Sequence, residues 1–232
     1  MKKGEATRQE ILEIADSLFC SKGYEATSIQ DILHVLHGSK GGFYHHFPSK
    51  ASVLETLCRE RAVLAKQKGE EEVSRRTGAI HRINAVFEAF MPLHLEQVPF
   101  LSMLLPLLDL PEGMSIRVVY ENTLQEAFLG LLSKEMEKGV QEGAILPVTE
   151  DLASPILLLL NGCWVEALML INRVRRSGGS CSAAELQPIL NRYRRVLESL
   201  LGAPFGTLTL AELSEWDEVA GRLTEASSHS ET

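Results

Sequence analysis

Apolar residues recur along this chain at three- and four-residue intervals, and no stretch shows the apolar–polar alternation that a half-buried strand requires. The pattern predicts an all-α protein. Ile11, Ala15, Leu18 and Phe19 mark one face of a first helix that stops near Gly23, a residue suited to the left-handed position after a helix. Ser28, with Asp31 three residues on, is a capping-box variant that starts a short second helix through about Leu36. Ser39 can cap a third, very short helix ending near His46. Pro48-Ser49 then breaks the chain, and Ser49 caps a long fourth helix, over 49–68, with Val53, Leu54, Leu57 and Leu64 on one side.

Proline is absent before residue 48 and recurs at 92, 99, 106 and 111, which divides the middle of the chain into one longer helix and one short, very apolar one. A long helix from Glu112 to about Glu142 carries Ile116, Tyr120, Leu124, Phe128, Leu131 and Leu132, and Gly143 ends it. Helices from about Thr149 to Arg176 and from Ser182 to Leu201 follow, then an amphipathic piece from Leu208 to Leu223. The layout predicts a helical domain over residues 1–50, a larger helical domain over 51–225, and a polar, disordered tail over 226–232.

Composition narrows the function classes. The chain has 232 residues with 23 Lys+Arg against 31 Asp+Glu, and a net charge of −8 excludes a protein that coats nucleic acid or anionic membrane with its whole surface. The first 50 residues balance at six basic against six acidic side chains and hold four of the seven histidines, His34, His37, His45 and His46. Cys20, Cys58, Cys163 and Cys181 are scattered without a Cys-x-x-Cys pair, so reduced, buried thiols are expected, with no metal site and no cofactor. The apolar stretch Leu152 to Ile171 is interrupted by Pro155, Asn161, Gly162 and Glu166, a poor membrane helix. The N-terminus runs directly into a charged helical pattern without a signal-peptide motif, and no membrane partner and a cytoplasmic location are expected.

Three helices within 47 residues, the second and third short and tightly linked, fit a helix-turn-helix, whose later helix enters the DNA major groove. In the third, Phe43 and Phe47 are four apart and face inward, which leaves Lys40, Tyr44 and His45 outward, all able to donate to phosphate oxygens. The same periodicity also allows Tyr44 and the His pair to complete a small core. Residues 7 to 66 resemble the DNA-binding domain of the TetR family of bacterial transcriptional regulators. The matching residues are Ile11 to Phe19 and Gly23, Thr27-Ser28-Ile29 with Asp31-Ile32, Ser39-Lys40-Gly41 with Phe43-Tyr44-His45-His46-Phe47, and Ser49-Lys50. The resemblance implies a double-stranded DNA operator as partner and a DNA-binding set of Thr27, Ser28, Ser39, Lys40, Gly41, Gly42, Tyr44, His45 and Lys50. The chain departs from the family pattern at Leu33, at His37 where a turn glycine is usual, at Gly38, and at Gly42, so an operator sequence does not carry over.

Leu186, Ile189, Leu190, Tyr193, Val196, Leu197, Leu200 and Leu201 form a wide apolar stripe, and the preceding helix adds Ile156, Leu159, Leu160, Cys163, Ala167 and Leu170. An ordinary monomer core would explain both. The resemblance implies instead a homodimer through these two helices, with Leu159, Cys163, Leu170, Leu186, Leu190, Tyr193, Leu197 and Leu201 at the interface. It also implies a small-molecule effector among the middle helices. Phe87, Phe90, Met91, Met103, Tyr120 and Phe128 are the apolar lining candidates, with His81, Asn84, His94, Asn122 and Glu166 as polar anchors; each also fits core packing or a solvated face. Their composition suggests an apolar or aromatic effector, and the whole reads as a ligand-released repressor on a palindromic operator. A helical interaction scaffold, or a helical enzyme without DNA binding, also fits an all-α chain of this size. Against an enzyme, the sequence contains no Gly-rich phosphate loop, no G-x-S-x-G elbow and no H-E-x-x-H, and so no catalytic set.

Overall fold

A computed structural model describes residues 3–108, 110–147, 152–211 and 213–225. The expected disordered tail at 226–232 and the expected helix start near Thr149 lie outside the described residues. Among those residues there is no strand. In chain order the helices are α1 (Lys3–Lys22), α2 (Ile29–Leu36), α3 (Lys40–His46), α4 (Lys50–Arg75), α5 (Ala79–Phe90), α6 (Val98–Leu104), α7 (Pro111–Gln141), α8 (Ala153–Arg176), α9 (Ala183–Leu201) and α10 (Leu213–Glu225), with short 3-10 turns at Leu95–Gln97 and Leu105–Leu107. They group into two compact units, one of Met1–Arg61 with Pro99–Tyr120, the other of Ala62–Val98 with Glu121–Thr232.

In the first unit, Ile11, Leu12, Ala15 and Phe19 of α1, Ile32 of α2, Phe43 of α3 and Val53 and Leu54 of α4 are fully buried. Leu18, expected on the buried face of α1, is only half-buried, and Leu12 takes its place. Phe100 packs edge-on against Tyr120 with ring centroids 5.4 Å apart, and the Arg61 guanidinium lies 4.5 Å from the Phe100 centroid while bonding Asp16 at 2.6 Å. Gly23 (φ 90°) ends α1, as its position suggested. His37 (φ 53°) ends α2 in the left-handed region, a conformation that costs a side-chain-bearing residue about 1 kcal/mol or more.

In the second unit, Ile83, Val86, Phe87 and Phe90 of α5 and Leu124, Phe128 and Leu132 of α7 are fully buried, and the Phe90 and Phe128 rings stand edge to face at 5.3 Å. Three differences from the periodicity reading have local causes. α4 runs on to Arg75 instead of stopping near 68, because Gly69 breaks nothing: a Cβ there would come within 3.0 Å of Ala89 and 3.3 Å of Phe128, so the missing side chain lets α5 and α7 approach. Leu64 lies on the outer side of α4 and is 57% exposed. The segment 202–211 is irregular rather than helical, because two buried side chains hold it: Asn84 donates to Thr207 O (2.9 Å) and accepts from Thr209 N (3.0 Å), and Glu198 accepts from Gly206 N (2.8 Å) and Leu208 N (3.2 Å).

α8 is long and apolar enough to cross a membrane by length and composition, yet half of its apolar window is buried within the unit, where α9 and α10 pack on it. Trp164 on α8 donates to Asn161 Oδ1 at 3.0 Å, and Trp216 of α10 is 1% exposed. Burial pushes the thiols up, Cys58 and Cys163 to about 12 and Cys20 and Cys181 to about 11, so all four stay protonated near neutrality.

One polar cluster sits against this core. Arg82 Nε donates to Glu135 Oε2 at 2.7 Å and Arg82 Nη2 to Glu142 Oε1 at 2.6 Å, while Lys138 Nζ holds Glu135 Oε1 at 2.6 Å. Glu142 also accepts from Ala79 N at 2.9 Å, which ties the start of α5 to the end of α7. Burial alone would raise the Glu135 carboxyl, which is 1% exposed, but the hydrogen bonds from Lys138 and Arg82 outweigh it and hold the group below its ordinary range. Arg82→Met is expected to cost about 3 kcal/mol of stability at neutral pH, because it strips one partner from a buried carboxylate. A depressed carboxyl stabilises the fold above its unfolded titration point and stops doing so as pH falls through the folded one. The wild-type advantage over Arg82→Met in urea titrations should therefore be full at pH 6 to 8 and shrink below about pH 4.

Candidate functional site

The local chemistry of residues 27–50 fixes α2 and α3 at both ends. Ser28 caps α2 by accepting from Asp31 N at 3.1 Å, and Asp31 Oδ2 accepts in return from Ser28 N at 2.7 Å. These bonds, the backbone one from Ser28 foremost and then Lys22 at 2.9 Å, hold the Asp31 carboxyl well below the usual carboxylate range. Ser39 Oγ caps α3 by accepting from Gly42 N at 3.1 Å. Ser49 and Ser52 cap α4 reciprocally, N to Oγ at 3.2 and 3.1 Å. Phe43 and Phe47 are buried at 0% and 2%, and the Arg8 guanidinium covers Phe47 at 4.9 Å.

This anchoring turns the other face of α3 outward. Lys40, Gly41, Gly42, Tyr44 and His45 are exposed, Tyr44 by 53%, and its ring leans edge-on against Phe43 at 5.5 Å. Ser28 and Ser39 are exposed beside them at the helix starts. A Cβ at Gly41 would meet nothing within 4 Å, and one at Gly42 would meet only Ser39 Oγ at 3.4 Å, so two glycines, each unfavourable by about 1 kcal/mol in a helix, leave bare backbone on this surface. His34 is exposed too, because Ile32 and Leu33 occupy the inward side of α2. His46 is half-buried, its ring 5.0 Å from that of His45.

Two members of the expected DNA-binding set are placed differently. Thr27 is 1% exposed, and its hydroxyl donates inward to Gly23 O (2.7 Å) and Leu18 O (3.3 Å). Lys50 is half-buried; its ammonium donates to Tyr24 O (2.8 Å) and Thr27 O (3.0 Å) and stacks 4.1 Å from the Tyr24 ring centroid. A cation at the first turn of a helix is unfavourable toward the helix dipole, and these two carbonyls supply the compensation. Both residues shape the surface from beneath.

The expected effector residues do not converge on one cavity. Phe87, Phe90, Met91 and Phe128 are at 0% exposure and fill the core, as do Met103 (5%) and Tyr120 (2%) in the first unit. Asn84 is committed to the 207–209 backbone, the exposed His81 faces Thr77 O at 3.1 Å, and His94 bridges Glu88 O at 2.8 Å and Glu215 at 3.5 Å. Asn122 is exposed, and Glu166 pairs with Arg192. The second unit holds a groove of about 770 Å³ elsewhere, between α4, the start of α5 and α7, with Lys66, Glu70, Arg82, Glu126, Lys134 and Lys138 in its lining. Its signal in the sequence was charge at four-residue spacing on α7, which reads equally as a solvated face. Among the described residues no cluster of His, Cys, Asp and Glu is arranged to hold a metal ion.

The expected dimer residues are also redistributed. Leu186 (1%), Leu190 (7%), Leu197 (0%), Leu201 (0%) and Cys163 (0%) are buried inside the chain's own helix packing, and Leu159, Leu170 and Tyr193 are half-buried. α10 packs on both α8 and α9 and contributes to this covering. The apolar side chains still exposed on α8 and α9 are Leu158 (57%), Met169 (43%), Val196 (42%) and Leu200 (38%).

Comparison with known proteins agrees with the N-terminal geometry. Residues 11–57 match the family model of bacterial regulatory proteins, tetR family. An uncharacterized HTH-type transcriptional regulator of Bacillus subtilis, YuxN, is 35% identical over 108 residues, 44% of this chain and 35% of that protein. The HTH-type transcriptional repressor KstR2 of Rhodococcus jostii is 40% identical over 52 residues, 22% of this chain and 26% of that protein. The chain thus spans about a third or less of the length of these two curated relatives. The fold is similar to the crystal structure of a TetR transcriptional regulator from Chloroflexus aurantiacus, with a TM-score of 0.55 at 21% identity, covering 88% of this chain and 98% of that one.

The exposed and buried members of the set separate in a paired experiment. Tyr44→Ala should leave the melting curve within about 0.5 kcal/mol of wild type and weaken duplex binding by about 1 kcal/mol or more whatever the sequence. Lys50→Met should instead lower stability by about 2 kcal/mol, the worth of a half-buried ammonium's hydrogen bonds, as read by thermal melting.

Proposed function

The chain belongs, through its DNA-binding domain at residues 11–57, to the TetR family of bacterial regulatory proteins, and from that premise we propose that it is a cytoplasmic transcriptional repressor that binds a palindromic operator as a homodimer and is released by a small effector. The observation that carries the reading is the outward face of α3, where Lys40, Tyr44 and His45 stand exposed over a buried Phe43–Phe47 pair. A cation, a phenol and an imidazole are all donors to phosphate oxygens, and the bare backbone at Gly41 and Gly42 permits close approach to a groove. The relatives are regulators rather than enzymes, and KstR2 is a repressor.

The homodimer follows from two considerations. A three-helix module reads only a few base pairs, so two copies are needed for an adequate site. The residual apolar surface of α8 and α9, centred on Leu158, Met169, Val196 and Leu200, is the surface available to a second copy, in place of the buried stripe that the family resemblance implied. For the effector, the core positions of Phe87, Phe90 and Met91 disfavour an apolar or aromatic compound, since admitting one would mean opening a filled core. The charged groove of the second unit is the better location. A 100-fold loss of operator affinity on binding would require about 2.7 kcal/mol of coupling.

The direct test is selection of duplexes from a random pool by the full-length protein, followed by gel shift with the DNA upstream of its own gene. A palindromic consensus, bound by a species that sediments as a dimer, is the expected result; recovery of no sequence would overturn the reading. Leu158→Glu combined with Val196→Glu should yield a folded monomer with much weaker operator binding, whereas Leu197→Glu should destabilise the chain itself, because that position is fully buried.

A further inference from the structure

The groove of the second unit has an electrostatic remainder. Most of its charges cancel in pairs: Lys66 with Glu70 at 3.0 Å, Arg82 with Glu135 and Glu142, and Lys138 with Glu135, while the rim residue Arg76 meets Glu72 at 3.5 Å and Glu88 at 3.9 Å. Two lining residues make no such pair, Glu126 and Lys134, and both are exposed. They lie eight residues apart on α7, about 12 Å along the axis at 1.5 Å per residue. Gly130 sits midway, at four-residue spacing from each, so all three share one face of the helix and line the same groove. A Cβ at Gly130 would meet nothing within 4 Å, so the floor between the two charges is bare helix backbone.

The surroundings make this pair directional. Gly69 of α4 lies beside Phe128 and Leu131, between Glu126 and Lys134 along α7, and Lys66 and Glu70 on either side of Gly69 pair with each other, so the Glu126 end keeps one uncompensated negative charge. The other end contains the Arg82, Glu135, Lys138 and Glu142 network, internally neutral, and keeps the positive charge of Lys134. We propose that the groove binds an elongated zwitterion, its ammonium at Glu126, its carboxylate at Lys134 and its spacer over Gly130. As an identification of the effector this rests on the ligand-released reading above; as a binding site it stands independently. A molecule with one charge would satisfy one end and leave the other facing an apolar terminus, whereas a separated ammonium and carboxylate meet both without disturbing the internal pairs.

The test uses the full-length protein and 6-aminohexanoate, with hexanoate and hexylamine as singly charged controls and indole as an apolar aromatic one, in isothermal titration calorimetry. The expected result is binding of 6-aminohexanoate roughly tenfold or more tighter than any control. Glu126→Gln should bind 6-aminohexanoate no better than hexanoate, Lys134→Met should bind it no better than hexylamine, and Gly130→Leu should lose it by filling the floor; all three positions are exposed, so no variant should melt below wild type, and Gly130→Leu should melt slightly above it. Equal affinity for the zwitterion and the controls, retention of that affinity in the three variants, preference for indole, or binding of no probe would each overturn the proposal. Binding with the expected selectivity but without change in operator affinity would uphold the site and count against the effector reading alone. Release of operator by indole, with no 6-aminohexanoate bound, would do the reverse.

Discussion

The outward face of α3 depends on one ammonium. Lys50 opens α4, where a cation is electrostatically unwelcome, and is held there because Tyr24 O, Thr27 O and the Tyr24 ring surround its Nζ. This contact spans 26 residues and joins the turn after α1 to the helix that follows α3. Thr27 reinforces it from the other side through its hydroxyl bonds to Gly23 O and Leu18 O. With that turn fixed, the serine caps of α2 and α3 are registered, Phe43 and Phe47 are driven inward, and Lys40, Tyr44 and His45 are left in solvent. A helix of seven residues has little stability of its own, so the position of α3 is a tertiary property.

The second unit solves a different problem, that of keeping charge against an apolar core. Glu135 is almost fully buried and remains ionised because Arg82 and Lys138 both reach it, and Arg82 in turn is shared with Glu142, which also ends the run of unsatisfied backbone at the start of α5. Each member removed alone would leave another charge without compensation, which makes the cluster a constraint on sequence as well as a stabilising feature. The same wall lines the groove, so the groove's shape is supported by groups whose charges are already satisfied, and recognition falls to those that are not.

The apolar content of α8 and α9 illustrates how a stripe divides its uses. Seen along the sequence, Leu186, Leu190, Leu197 and Leu201 on α9 are as suitable for a partner helix as for the chain's own α8. The structure assigns them inward, and α10 packs on both helices, with Trp216 and Ala220 buried. What stays exposed on these two helices is the narrower set at Leu158, Met169, Val196 and Leu200.

Much of the fold was legible in the sequence, since local rules decide local facts. Apolar spacing placed the helices, Ser28 with Asp31 and Ser39 placed two caps, prolines divided the middle, and Gly143 ended α7. The outward set at Lys40, Tyr44 and His45 followed from Phe43 and Phe47 at four-residue spacing, and the tetR-family match at residues 11–57 covers the same motif. Three kinds of fact were decided only in the tertiary structure. Whether a donor is spent or available depends on a partner distant in sequence, as with Lys50 and Tyr24 or Asn84 and Thr207. Whether Gly69 breaks a helix or lets two others approach depends on what packs against it. And which of several apolar faces meets its own chain depends on every other helix, because burial is a property of the assembled surface and periodicity fixes only which residues share a side.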